Sequence, residues 1–235
     1  DETDSTNTRA RKLAEEGAPH GTLVIADSQS SGKGRRGRLW TSPRGVGIWM
    51  SMLLRPDIAP VHASMLTLIA GMAVVRGVKE STGLDAMIKW PNDAVLAGRK
   101  ICGILTEMST EDESIRYVIT GIGINVNIDE FPEEIRDKAT SLKMELGKSV
   151  KRSPVIRAVA EAFETYYDIF LETCDMSRLK EEYNRELANT GREVLVLDPR
   201  GQYEGTALGI DDEGSLLVRK RDGTVVPVIS GEVSV

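Results

Sequence analysis

Gly32-Lys33-Gly34-Arg35-Arg36-Gly37-Arg38-Leu39-Trp40 sets four cations and three glycines in seven residues and ends on a tryptophan. Glycine allows positive φ and close backbone approach to an anion, and the planar arginine fork suits carboxylate and phosphate oxygens. What surrounds the loop limits the fold. Gly32, Gly34 and Gly37 fit a G-x-G-x-x-G spacing, yet no helix follows them, and no Gly-Lys-Ser/Thr closes a Walker A loop. A short buried strand over residues 22–26 feeds the loop, and a second apolar strand over 48–54 leads out of it. The anion is therefore expected on a loop between strands. A solvated basic loop or an arginine-glycine RNA-binding segment is the competing reading of this stretch alone.

Outward from the loop, Asp4-Ser5-Thr6-Asn7 offers N-caps for a helix running to about Glu16, with Gly17 as its stop. Leu66, Ile69, Ala70, Ala73 and Val74 recur at helical spacing within residues 61–79. A strand over 86–90 is broken by Pro91, residues 95–101 read as a hairpin turning near Gly98, and 116–127 is strongly β-branched. Val155, Val159, Ala162, Phe163 and Tyr166 give residues 154–187 one apolar helical face. From Glu193 onward short strands alternate with turns at Pro199-Arg200-Gly201, Asp212-Glu213-Gly214 and Asp222-Gly223, the pattern of a small β-barrel. The expected division is residues 1–188 and 189–235.

The 235 residues carry 30 basic and 36 acidic side chains, for a net charge of −6. A general nucleic-acid binder shows the opposite balance, so the basic loop is a local feature. Cys102 and Cys174, like His20 and His62, stand apart in no metal-ligand spacing, and so few cysteines suit a reducing cytoplasm. No signal peptide or bilayer-length apolar run is read from the sequence. The chain opens at Asp1 rather than at a methionine, which leaves a segment upstream open.

Three further stretches can carry chemistry. Lys89-Trp90-Pro91-Asn92-Asp93 is a strand end with a Pro-Asn turn, which leaves Trp90 unexplained; the functional reading sets Asp93 near a metal–phosphate group. Lys100, flanked by apolar residues and followed by Gly103, either points into a cleft or faces solvent on a hairpin. Gly121 and Gly123 weaken a β-branched strand, so a ligand or another backbone is expected close by. Asn125 either donates to that ligand or ends the strand.

Together these stretches resemble the biotin protein ligases. The matching motifs run in that family's order: Asp4-Ser5-Thr6-Asn7, Gln29 followed by Gly32 to Trp40, Lys89 to Asp93, Lys100 with Gly103-Ile104, Gly121-Ile122-Gly123-Ile124-Asn125, and the terminal Gly231-Glu232-Val233. The resemblance implies an α+β catalytic domain akin to class II aminoacyl-tRNA synthetases, with a mixed, largely antiparallel sheet, and a C-terminal SH3-like barrel. It implies activation of biotin by ATP to biotinyl-5′-AMP, then transfer to a lysine of biotin carboxyl carrier protein. Lys100, Arg35 and Lys33 would be the catalytic cations. Ser5, Thr6, Asn7, Gln29, Gly32, Lys33, Gly34, Arg35, Lys100, Gly103 and Gly121 would bind biotin, the two last lying against its ring. Arg35, Arg38, Trp40, Lys100 and Asn125 would bind ATP, and Asp93 would meet Mg2+. The family also suggests a homodimer. With no helix-turn-helix segment in this chain, the short, non-repressor form is expected, without DNA binding or a membrane. Many family members have arginine where Lys33 stands.

Two other functions compete. A lipoate ligase would leave the Ser5-Thr6-Asn7 and Gln29 set without a ureido group to bind. A non-catalytic RNA- or heparin-binding module built on Arg35, Arg36 and Arg38 would show steeply salt-dependent affinity.

Overall fold

The computed structural model describes residues 1–198 and 201–234; the turn expected at Pro199-Arg200 lies outside them. In the larger, N-terminal part the order is β1 (Glu2–Thr3), α1 (Thr6–Glu15), β2 (Thr22–Ala26), β3 (Ser28–Gln29), β4 (Gly47–Leu54) and α2 (Met65–Thr82). It continues with β5 (Met87–Lys89), β6 (Asp93–Leu96), β7 (Arg99–Glu111), β8 (Ser114–Asn125), α3 (Leu142–Leu146), α4 (Arg152–Thr173) and α5 (Lys180–Arg185). Six of these strands form one sheet in the order β2-β4-β8-β7-β6-β5, every neighbouring pair antiparallel. Parallel pairing appears in the small β1–β3 ladder, which ties the N-terminus to the start of the basic loop.

Period-2 alternation divides the sheet into two faces. Met50, Ile104 and Ile122 turn to α2 and α4, the main core. Leu53 and Ile119 turn the other way, where Ala10 and Ala14 of α1 cover them. α1 covers only part of that face, and the functional cleft occupies more of it. The two large helices approach closely at Gly77, where an added Cβ would stand 2.6 Å from Val159 Cγ2 and 2.7 Å from its backbone nitrogen.

Three expectations need correction. The helix expected over 154–187 is two helices. α4 stops at Cys174, whose φ of 59° is left-handed, and Asp175 Oδ1 then accepts from the Ser177 amide at 2.9 Å, a local turn that competes with the helix. The strand after Gly98 runs on to Glu111, and its hairpin turns on Asp112 and Glu113, both at positive φ. That backbone belongs to the turn type usually signalled by Asn-Gly, so the sequence carried no clear cue. Finally, the segment Pro60–Thr82 is long and apolar enough to span a bilayer, but 72% of its most apolar stretch is buried inside the protein, as a core helix.

The C-terminal strands β9 (Glu193–Asp198), β10 (Gly201–Ile210), β11 (Leu216–Arg219), β12 (Val225–Val228) and β13 (Glu232–Ser234) form an antiparallel sheet in the order β12-β11-β10-β9-β13. The β10–β11 turn is docked on the N-terminal part. Trp90 Nε1 donates to the Gly214 carbonyl at 3.1 Å, and the Trp90 amide donates to Asn189 Oδ1 at 2.9 Å. Met176 N donates to the Asp212 carbonyl at 2.7 Å. The tryptophan left unexplained by a turn reading is the plug of this junction, 2% exposed.

Candidate functional site

The lysine of the site is aimed by a bulge. Across β6 and β7, Asp93 faces Gly103 and Ala94 faces Cys102, but Val95 faces Lys100. The extra residue, Ile101, breaks the alternation. Ile101 and Cys102 are both fully buried, and Lys100 emerges on the face of Gly103 instead of entering the core. Its backbone is pinned by Lys100 N to the Lys138 carbonyl at 2.8 Å and Thr140 N to the Lys100 carbonyl at 3.0 Å. Lys100 Nζ lies 2.6 Å from Asp93 Oδ1 and 5.1 Å from the Trp40 ring centroid. Burial holds the Cys102 thiol well above its usual pKa, so it is an inert neighbour.

The basic loop is a tight, self-bonded hairpin. Gly34 N donates to the Arg38 carbonyl at 2.7 Å and Trp40 N to the Gly32 carbonyl at 2.9 Å, around a single turn at Arg35–Gly37. Arg35 reaches inward, and its Nη1 donates to Asn92 Oδ1 at 2.7 Å. The Trp40 indole lies on the sheet, where glycines leave room for it. A Cβ on Gly103 would be 2.8 Å from Trp40 Cζ3, and one on Gly123 would be 2.6 Å from Nε1.

At the other end sits a polar network. Gln29 Oε1 accepts from the Thr6 amide at 2.8 Å and from its hydroxyl at 3.1 Å. Gln29 Nε2 donates to Ser42 Oγ at 2.7 Å. Asn7 Oδ1 accepts from Ser51 Oγ at 2.6 Å, while its Nδ2 donates to Glu107 Oε2 at 2.8 Å and to the Leu105 carbonyl at 3.2 Å. These bonds fix the amide orientations, and Ser5 stands at the N-cap of α1 without a side-chain capping bond.

A cleft joins the two ends. Ser5, Thr6, Asn7, Gln29, Lys33 and Gly34 line it, as do Arg35, Trp40, Lys100, Gly103 and Gly121. Four expected residues are absent from its lining. Gly32 backs it, since a Cβ there would stand 2.2 Å from the Trp40 carbonyl oxygen. Asn125 is buried and donates to the Thr140 carbonyl at 3.2 Å, bracing the segment that pins Lys100. Arg38 is exposed, and Asp93 is joined to Lys100. The two glycines expected against a ligand ring line the cleft and also leave room for protein groups: a Cβ on Gly121 would be 2.1 Å from Asn7 Oδ1, and one on Gly103 would be 2.8 Å from Trp40 Cζ3. Among the described residues no three His, Cys, Asp or Glu side chains gather to hold a metal ion. The reading by residue type missed Ser51 and the bonding of Asn92; a lone serine in an apolar strand carries no signal in one sequence.

A cleft with cations at one end and amide and hydroxyl groups at the other, on an antiparallel sheet, suits the joining of a small polar molecule to a phosphate. Residues 1–125 match the Biotin/lipoate A/B protein ligase family, and residues 190–235 match the Biotin protein ligase C terminal domain. Among curated relatives, the biotin–[acetyl-CoA-carboxylase] ligase of Paracoccus denitrificans is 32% identical over 229 residues, 95% of this chain and 94% of its own. The bifunctional ligase/repressor BirA of Bacillus spizizenii is 44% identical over 221 residues, 93% of this chain but 68% of that protein. The biotin protein ligase of Aquifex aeolicus in complex with biotin and ATP superimposes with a TM-score of 0.85 at 33% identity, covering 99% of this chain and 95% of that one. The chain belongs to the biotin protein ligases.

Proposed function

We infer that this protein activates biotin with ATP and transfers it to a carboxylase's biotin carrier. The observation that carries the reading is the single cleft holding the cations Lys33, Arg35 and Lys100 at one end and the Thr6–Asn7–Gln29–Ser51 network at the other. In the first step a biotin carboxylate oxygen attacks the α-phosphorus of ATP and pyrophosphate leaves. Two anions must meet in a water-poor cleft, where their repulsion is large and fixed cations are most effective. Lys100 and Arg35 are the groups we assign to that meeting point, with Lys33 beside them. Lys33 supplies charge without the bidentate fork of an arginine. In the second step a lysine amine of the carrier attacks the mixed anhydride, and AMP leaves.

The polar network is assigned to biotin's ureido group, whose carbonyl and N–H groups are costly to bury unpaired. Trp40, lying flat beside Lys100, is assigned to the nucleotide, with Arg38 and the brace of Asn125 contributing from outside the cleft wall. Magnesium fits as an ion brought in on the phosphates of ATP rather than as a resident of a protein cage. Asp93 is the carboxylate offered to it, and it is engaged by Lys100 when no anion competes. Residues 1–188 would hold both substrates, with 189–235 as the docked barrel. A homodimer and a cytoplasmic location are part of the same proposal. The direct test is incubation with biotin, ATP and a biotin carboxyl carrier domain. Intact-mass analysis should show one biotinyl group added, none without ATP and none when the acceptor lysine is replaced by arginine. An unmodified carrier under full conditions contradicts the reading.

A further inference from the structure

We propose that Asn92 is the positioning residue that holds Arg35 ready in the cleft before substrate arrives. The backbone that carries Arg35 is lightly anchored to the rest of the fold. It sits in a single turn between Gly34 and Gly37, on a hairpin whose backbone bonds are internal, and Lys33, Arg36 and Arg38 crowd it with like charge. An arginine side chain loses considerable rotamer entropy when fixed. Asn92 supplies the fixed point. Its own backbone carbonyl accepts from Ile104 N at 2.9 Å, and its Nδ2 donates to the Ile104 carbonyl at 3.1 Å. Main chain and side chain are thus both clamped to β7, one residue from Gly103. That clamp orients Oδ1 toward Arg35 Nη1 at 2.7 Å.

The proposal rests on the biotinyl-adenylate reading, and its test separates the two. Wild type, Asn92→Ala, Arg35→Gly and the double variant are loaded with biotin and ATP, and release of the adenylate is timed after excess substrate is removed. Loss of a hydrogen bond to a charged group should raise the release rate roughly tenfold in Asn92→Ala, with adenylate synthesis much less affected. In the Arg35→Gly background the same substitution should add nothing. Asn92→Asp, which keeps an acceptor for Arg35 and loses the donor to Ile104, should retain the adenylate better than Asn92→Ala and guards against a folding defect. Without substrate, hydrogen exchange at residues 34–38 should quicken in Asn92→Ala. Unchanged release, effects that multiply with Arg35→Gly, or equal losses in the Asp and Ala variants overturn the proposal. If wild type forms no adenylate at all, the functional reading itself fails, and the exchange measurement still decides whether Asn92 tethers the loop.

Discussion

At the scale of single residues, position depends on features that a residue-type reading sees only in part. Arg35, Lys33 and Lys100 were visible as cations in unusual company. The device that turns Lys100 outward, one extra residue between Lys100 and Cys102, was not visible, because a bulge has no signature of its own in the sequence. Gly103 and Gly121 were legible as places of close approach, and Trp40 and Asn7 are the protein groups that approach them. Asn92 read as a turn residue because Pro-Asn is a turn signal, and its bond to Arg35 spans 57 positions of the chain. For Arg35 the account predicts a division of effects. Arg35→Gly should speed escape of biotinyl-adenylate by at least about tenfold, the scale of a charged hydrogen bond, while slowing its synthesis less. Release measured against synthesis tests this, and equal losses would count against a retaining role.

At the scale of elements, the two loop-flanking strands, the first helix and α2 lie close to where hydrophobic pattern and caps set them. Errors gathered where local backbone overrides pattern: the left-handed stop at Cys174 and the two-residue turn at Asp112 and Glu113. The basic loop should exchange its amide hydrogens much faster than β4, β7 and β8 in the absence of ligand. Its backbone hydrogen bonds are its own, and its like charges repel. Biotin with ATP should slow that exchange, and protection equal to the sheet's before ligand is added would contradict it. The helix pair offers a stability test independent of the site. Gly77→Ala puts a methyl against the backbone of Val159, which cannot swing aside as a flexible side chain would. Overpacking of this kind costs about 1–3 kcal/mol, so chemical denaturation should show a clear fall in midpoint.

At the scale of the whole molecule, the barrel and the catalytic part meet beside the segment that carries Asn92 and Asp93, so the junction and the cleft share a short piece of chain. Glu186, whose carbonyl accepts from Ile88 N at 2.8 Å at this junction, has its carboxyl raised to about 7, first by burial and then by the charge of Glu182, against opposing help from Arg185, Lys79 and Arg76. A raised acid binds its proton more tightly in the folded state, so its contribution to stability is present at low pH and falls as pH rises toward and through about 7. Glu186→Gln should therefore raise the denaturation midpoint at pH values above that range and match wild type well below it; a gain only on the acid side would reverse the sign and refute the assignment. The two-part organisation was legible from turn spacing, whereas the docking of Gly214 on Trp90 was not, since it joins residues 124 positions apart. The central claim, that this cleft joins biotin to an adenylyl group with Lys100 as a catalytic cation, is tested most directly by pyrophosphate release. With ATP, biotin should trigger release and lipoate should not. Lys100→Ala should lower the rate by roughly a hundredfold or more, the usual cost of removing a charge-stabilising group from an active site. Release driven equally by lipoate, or unaffected by Lys100→Ala, would contradict the account.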